Sequence, residues 1–511
     1  AESAVLLKND GDLLPLAAGA SVAVIGDFAE TPRYQGAGSS AVNSIKVDTF
    51  LDCLKDSGLH SVGFAAGFDR QGKPDDAKKA EAVALAEKAD TVLLCLGLDE
   101  IKESEGLDRA DMKLADNQIE LLQAVQQANP NTVVIVSAGA SLETPWLAHC
   151  RALVYGALGG QAGAGAMVDV LTGKINPSGK LAETWANAHA DTPAKDNFAG
   201  AGRTVQYREG LYVGYRYYQT AGVPVAFPFG YGLSYTSFDW KVTDAAANGS
   251  ALTKDGNVTV KVTVTNTGDR AGKDVVQLYY TAPYTAGEIE KSSVELGAFA
   301  KTKELAPGES EEVTLTVPVS DMASYDAYDA NHNGFTGYEL DAGDYIFTVR
   351  HDAHDVDDAA NATITCSLPA GVQYAEDTAT GNAVSNKFTG SDAIDGVSLD
   401  GSDSAQNITY LTRADFAGTF PKTNTPTRAM TDNVKARNLY TADDANGWIN
   451  DADEAITTGA KNGLKIEDNG ETTDLGFRLG SDFNDPRWDA LLDQLTVDEM
   501  ENLYINAYGG L

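Results

Sequence analysis

The chain has 511 residues, with 74 acidic against 38 basic side chains and a formal net charge of −36 at pH 7. That length calls for about two to four domains, because single cores rarely grow beyond about 250 to 300 residues. So negative a chain repels phosphate, which argues against nucleic acid and an anionic membrane surface as partners and favours a neutral ligand.

In chain order, the opening AESAVLLKNDGDLLPL carries no signal peptide. Together with four widely spaced cysteines, Cys53, Cys95, Cys150 and Cys366, read as free and buried thiols, this sets an expectation of a cytoplasmic location, although a leader removed upstream stays open. No apolar run reaches the ~18 residues of a membrane helix.

From Ser21 to Trp185, short β-branched runs bounded by glycine (SVAVIG, SVGFAA, DTVLLCLG, TVVIVSAG) alternate with helical periodicity (AKKAEAVALAEKA, NQIELLQAVQQA). Such βαβ units predict an α/β domain over residues 1–235, a mostly parallel sheet with helices on both faces. After FPFGYGLSYTSFDW the period drops to two in NVTVKVTVTNTG, DVVQLYYTAP, EEVTLTVPV and DYIFTVRHD. Residues 236–355 therefore predict an antiparallel β-sandwich. The drift to Asp, Ala, Thr, Asn and Gly over 356–480 predicts an extended linker. Helical periodicity returns in 481–511, where Thr496 and Glu499 have the spacing of a capping box.

Several motifs have plain readings. RYQGAGSSA contains G-x-G-x-x-A but stands too far from its strand for a dinucleotide turn, and GGQAGAGAMVDVL fits close helix packing better. DANHNGFTGYEL follows a calcium loop for six positions and then places Leu340 where a bidentate Glu belongs, so it is read as a sandwich loop. His351 and His354 lack further ligands at metal spacing and are read as surface residues. The tyrosines of YREGLYVGYRYY are read as core rather than as a sugar platform.

The stretch GLDEIKESEGLDR, Gly97 to Arg109, is different: five carboxylates in thirteen residues follow a core strand. Taken alone it also fits an acidic surface loop. At the carboxyl end of a parallel strand, however, a glutamate beside glycine is accessible to a ligand, and neighbouring carboxylates would help it hold a proton near neutral pH.

Together with that stretch, SAVLLKNDGDLLPL, RYQGAGSS, NPSGKLAETW, YREGLYVGYRYY and FPFGYGLSYTSF resemble glycoside hydrolase family 3, the β-glucosidase family, in the family's order. The sandwich is similar to that family's fibronectin type III-like domain. The resemblance implies that Glu105, directly before glycine, is the acid/base, with Glu103 and Asp108 raising its pKa or orienting its loop. It also implies that Arg33, Gln35, Ser39 and Ser40 lie at the substrate rim, with Ala37 replacing a family glycine. The nucleophilic Asp belongs to a (β/α)8 barrel, of which WDALLDQLTVDEMENLY resembles the opening, so an inverted domain order is expected, with the barrel supplied in cis or by a second chain. Asp239-Trp240 is read as packing.

The expected function is the non-barrel part of a retaining β-glucosidase acting on terminal β-D-glucosyl residues of β-glucosides or oligosaccharides. The alternatives are a non-catalytic carbohydrate-binding or scaffold protein, and the same chemistry on xylosides or arabinosides. No cofactor or metal is expected, and self-association is allowed.

Overall fold

The computed structural model describes residues 1–196, 198, 207–357, 363–386, 409–422, 459–461, 482 and 484–506. The chain falls into two compact units, residues 1–430 and 431–511.

The first unit begins with β1 (Val5–Asn9), β2 (Ser21–Ile25), α1 (Phe50–Leu54), β3 (His60–Ala65), α2 (Asp76–Ala86) and β4 (Thr91–Gly97). It continues through α3 (Asp116–Ala128), β5 (Thr132–Ser137), β6 (Ala152–Tyr155), α4 (Gly163–Leu171), β7 (Trp185–Ala186), α5 (Tyr215–Ala221) and β8 (Val225–Phe227). Six strands form one sheet in the order β1-β6-β5-β4-β2-β3. All pairs are parallel except the edge pair β1–β6.

Successive strand residues point to opposite faces, yet all seven residues of β4 are buried, so both faces of the sheet are covered. The helices pack as two pairs, α1 with α4 and α2 with α3. From β2 the chain steps outward to β3, then crosses back to β4 and runs the other way through β5 and β6. The loops leaving β2 and β4 therefore flank the point where strand order reverses, the crevice where ligands bind in open α/β sheets.

The strands β9 (Phe238–Asp244), β10 (Asn257–Asn266), β11 (Val275–Thr281), β12 (Glu295–Lys301), β13 (Ser310–Pro318), β14 (Ser324–Asp326), β15 (Gly337–Leu340) and β16 (Gly343–Arg350) follow. They form a β13-β10-β9 sheet facing a core shared with a four-stranded sheet, β12-β11-β16 and a further strand, β17 (Thr363–Leu368). In β10 every second residue from Val258 to Asn266 is buried, the period-two pattern read from the sequence. Trp240 is core, and its indole N–H donates to Asp274 Oδ2 at 2.9 Å.

The boundary at residue 355 needs correction. β17 (Thr363–Leu368) pairs with β16, and β18 (Val372–Tyr374) pairs with β15, so the sandwich runs into the predicted linker. Its apolar residues are few but alternate: Ile364, Cys366 and Leu368 face the core. Farther on, Phe416 of α6 (Phe416–Thr419) stacks edge-on against Tyr212 and Tyr217; with Tyr215 and Tyr218 these tyrosines are core, as read, whereas Tyr207 is exposed. The rest of 356–480 lies largely outside the described residues.

His351 stands at a strand end with its side chain 40% exposed, as read, and its ring centroid lies 4.1 Å from that of Trp240. His354 differs from expectation: it is half-buried, with its pKa lowered by burial. In the second unit, α7 (Arg487–Leu492) is followed by α8 (Val497–Asn506). Thr496 Oγ1 accepts the Glu499 N–H while Glu499 accepts the Thr496 N–H, the reciprocal capping box.

One buried contact links the helical layer to the site. Gln118 of α3, 2% exposed, exchanges hydrogen bonds with the Gly97 N–H and C=O at 3.0 and 2.9 Å, where β4 ends. Gln118→Met keeps the volume but strands both backbone groups. It should cost the α/β domain about 1–3 kcal/mol by urea unfolding, whereas exposed Glu120→Ala should stay within about 0.5 kcal/mol.

Candidate functional site

The loop leaving β4 turns at once. Asp99 Oδ1 accepts the N–H groups of Ile101 and Lys102 at 3.0 and 2.6 Å, and Glu100 pairs with Arg70 at 3.1 Å. Lys102 is held by Asp111 at 2.9 Å. Charge at the loop's base is thus spent on shape.

Glu103 lies deep in the loop, its side chain 12% exposed. Its two oxygens accept the single Gly139 N–H, at 3.0 and 2.8 Å, from the loop after β5. Arg33 and Arg109 flank it at 4.0 and 3.9 Å, and Arg33 Nη2 also donates to the Glu103 carbonyl at 2.9 Å. A carboxylate this deep needs paired donors, and here they come from three different loops.

Above this anchor the β2 and β4 loops form a parallel bridge between Ala37 and Ser104. The Glu105 N–H donates to the Ala37 carbonyl at 3.1 Å, and the Ser39 N–H donates to Glu105 Oε2 at 2.6 Å. Gly38 makes this possible: at φ +97 a Cβ would stand 2.6 Å from Glu105 Cβ and 2.8 Å from Oε2. Glu105 itself is exposed.

The predicted rim residues separate into roles. Arg33, 3% exposed, is a structural cation beneath the loop. Gln35 closes its own loop, its amide accepting from the Val42 N–H at 3.0 Å and donating to the Val42 carbonyl at 3.2 Å. Ser39 holds Glu105, and exposed Ser40 sits with its hydroxyl over Gly36. Asp108 is exposed and makes no hydrogen bond or ion pair among the described residues.

The expectation that neighbouring carboxylates raise the Glu105 pKa is overturned. The Ser39 hydrogen bonds hold it below the usual glutamate value, because they favour the charged form. Glu103 is occupied by Gly139 and the two arginines, and Asp99 and Glu100 are bound rather than merely solvated.

A residue the sequence reading passed over is Glu183. It opens onto a cleft of about 690 Å3 also lined by Tyr155, Lys180, Phe229, Gln277 and Phe299. Surrounding protein raises its pKa by desolvation, and Ser141 Oγ donates to it at 3.3 Å. In sequence it is a single acid in KLAETW with no spacing to mark it. Glu105 is not on this cleft's wall, so the cleft and the exposed acid are separate features.

Residues 4–235 match the glycosyl hydrolase family 3 C-terminal domain, and residues 274–353 the fibronectin type III-like domain. The chain is 36% identical over 359 residues to the thermostable beta-glucosidase B of Acetivibrio thermocellus, covering 70% of this chain and 46% of that protein. It is 39% identical over 378 residues to an exo-alpha-(1->6)-L-arabinopyranosidase of Bifidobacterium breve, covering 72% and 47%. The crystal structure of a family 3 beta-glucosidase from Bifidobacterium adolescentis superposes with a TM-score of 0.66 at 40% identity, covering 74% of this chain and 53% of that one. The chain spans about half the length of the curated relatives it matches.

Gly38→Ala should push the two loops apart and release Glu105 from Ser39. Its carboxyl pKa, followed by carbon-13 NMR, should then rise towards that of an ordinary glutamate. An unchanged titration would mean that the Ser39 contact does not set it.

Proposed function

For a chain that belongs to glycosyl hydrolase family 3 through these two domains, we propose that it supplies the general acid/base half of a retaining glycosidase, with Glu105 as the proton-transferring carboxyl. The observation that carries this reading is the Ala37–Ser104 bridge with the Ser39-to-Glu105 hydrogen bond. It holds one exposed carboxylate at the strand-order switch point, clear of the ion pairs that occupy its neighbours.

Retention needs two carboxyl groups about 5 to 5.5 Å apart, one attacking the anomeric carbon and one protonating the leaving oxygen and then deprotonating water. With a lowered pKa, Glu105 is poised for the second, basic step. For the first it needs a proton, which the loss of water and an opposing carboxylate would stabilise when a glycoside is enclosed. The attacking Asp is assigned to a barrel domain in the same precursor or in a second chain. Asp239-Trp240 is not a candidate, because its indole is committed to Asp274 in the sandwich core.

Arg33 and Glu103 position the loop, and Ser39 fixes the carboxylate's orientation. Gln35 and Ser40 shape the adjoining rim, and Asp108 is free to meet a substrate or a facing domain. Terminal β-glucosides are the proposed substrates. Arabinopyranosides are the second reading, favoured by the 39% identity to the Bifidobacterium breve enzyme.

In the protein joined to its nucleophile domain, Glu105→Gln should slow glycosides with poor leaving groups about 10²–10⁴-fold. Activated aryl glycosides should suffer less, and azide should partly restore turnover. Unchanged hydrolysis of both substrates overturns the role of Glu105, and turnover by the present chain alone overturns the assignment of the nucleophile to another domain.

A further inference from the structure

The loop between β14 and β15 carries a second arrangement, independent of the glycosidase reading. From Asp329 the residues read DANHNG, with oxygen-bearing side chains at alternate positions 329, 331 and 333 and glycine at 334, where a calcium loop turns. The apparent defect is that Leu340 takes the place of the closing glutamate. Residues 337–340 are a strand, however, not the start of a helix. In that strand Tyr338 is exposed, whereas Glu339 and Leu340 are both buried, at 2% and 1% exposure. The strand delivers its carboxylate one residue earlier than a helix would.

Glu339 is aimed into the loop. The side-chain amides of Asn333 and Asn331 both reach its carboxylate. Its Oε1 is buried with no hydrogen-bond partner, and no Lys or Arg pairs with it among the described residues. The nearby cation, Lys291, is committed to Asp341 and to the Pro283 carbonyl. Desolvation and the charges of Asp326 and Asp341 raise the Glu339 pKa, the condition of a buried carboxylate lacking a counter-charge. Asp329 turns its Oδ1 to the Gly334 N–H at 2.9 Å, and its Oδ2 takes no hydrogen bond among the described residues.

We propose that residues 329–339 form a calcium site in which Asp329, Asn331, Asn333 and Glu339 supply side-chain oxygens to the ion. Two carboxylates match its charge, and an all-oxygen set on a flexible loop suits a hard cation of six to eight ligands, with backbone carbonyl and water completing it. The Asn331 and Asn333 side-chain oxygens accept the N–H groups of Asn333 and Phe335 at 3.2 and 2.8 Å, and each amide oxygen keeps a second lone pair for an ion. The bound ion ties the β14–β15 connection to the central strand of the small β14-β15-β18 sheet.

The test uses the full chain, stripped with EDTA and dialysed. Added CaCl2 should raise the thermal midpoint progressively with the logarithm of its concentration. Tb3+ should give tyrosine-sensitised emission, through Tyr338 and its stacking partner Tyr325, that Ca2+ displaces. Glu339→Gln keeps the shape and removes the unpaired charge. It should be at least as stable as the parent without calcium and should bind calcium at least ~10-fold more weakly. Asn333→Ala, at an exposed position, should weaken binding without loss of fold. Absence of any calcium effect on the parent overturns the proposal, as does a full effect retained in both variants.

Discussion

The candidate site depends on how one buried carboxylate is satisfied. Glu103 is held by the Gly139 N–H between Arg33 and Arg109, so the loops after β2, β4 and β5 are joined at a single point below the surface. Without those donors, a charge at 12% exposure would be costly and the loop would turn outward to water. With them, the next acid along the chain, Glu105, is lifted to the surface in a defined place. The turns of the loop, not strand alternation, separate the two acids: Glu103 goes down to anchor the loop, and Glu105 goes up to face solvent.

The platform beneath is stiff because the two domains of the first unit share their boundary. Gln277 of β11 donates to the carbonyls of Gly230 and His351 at 3.1 and 2.6 Å. Tyr215 of α5 stacks on Phe229 at 4.8 Å and meets Tyr279 edge-on at 5.9 Å. Lys180 approaches Asp274 at 3.6 Å, the same carboxylate that accepts the Trp240 indole. Aromatic area and satisfied polar groups at one seam resist relative movement of the domains. The loops at the carboxyl end of the sheet are therefore carried on a fixed base.

Much of this was legible because burial leaves a period in sequence. DTVLLCLG is apolar throughout because both faces of β4 are covered, whereas NVTVKVTVTN alternates because one face of β10 meets the core. The edge β17 and the short β18 escaped notice among Asp, Asn and Gly, since three buried side chains in six residues make a weak signal. The acidic loop was visible as charge density, but the sequence offered no way to rank its carboxylates by environment. It suggested mutual repulsion raising a pKa. The fold separates the acids and gives Glu105 hydrogen-bond donors instead, which lowers it.

What the sequence determined by itself was the class of each domain, the location of the acidic loop at a strand end, and the capping of α8, all properties of neighbours along the chain. What only the tertiary structure decided was which groups meet from a distance: Ser39 with Glu105, Gly139 with Glu103, and Gln118 with Gly97. It also decided the burial of Glu339, which lies beside core Leu340 in a strand of the small sheet. Hydrogen bonds and charges act through space at about 3 Å, and sequence spacing fixes such distances only within a helix turn or a strand repeat.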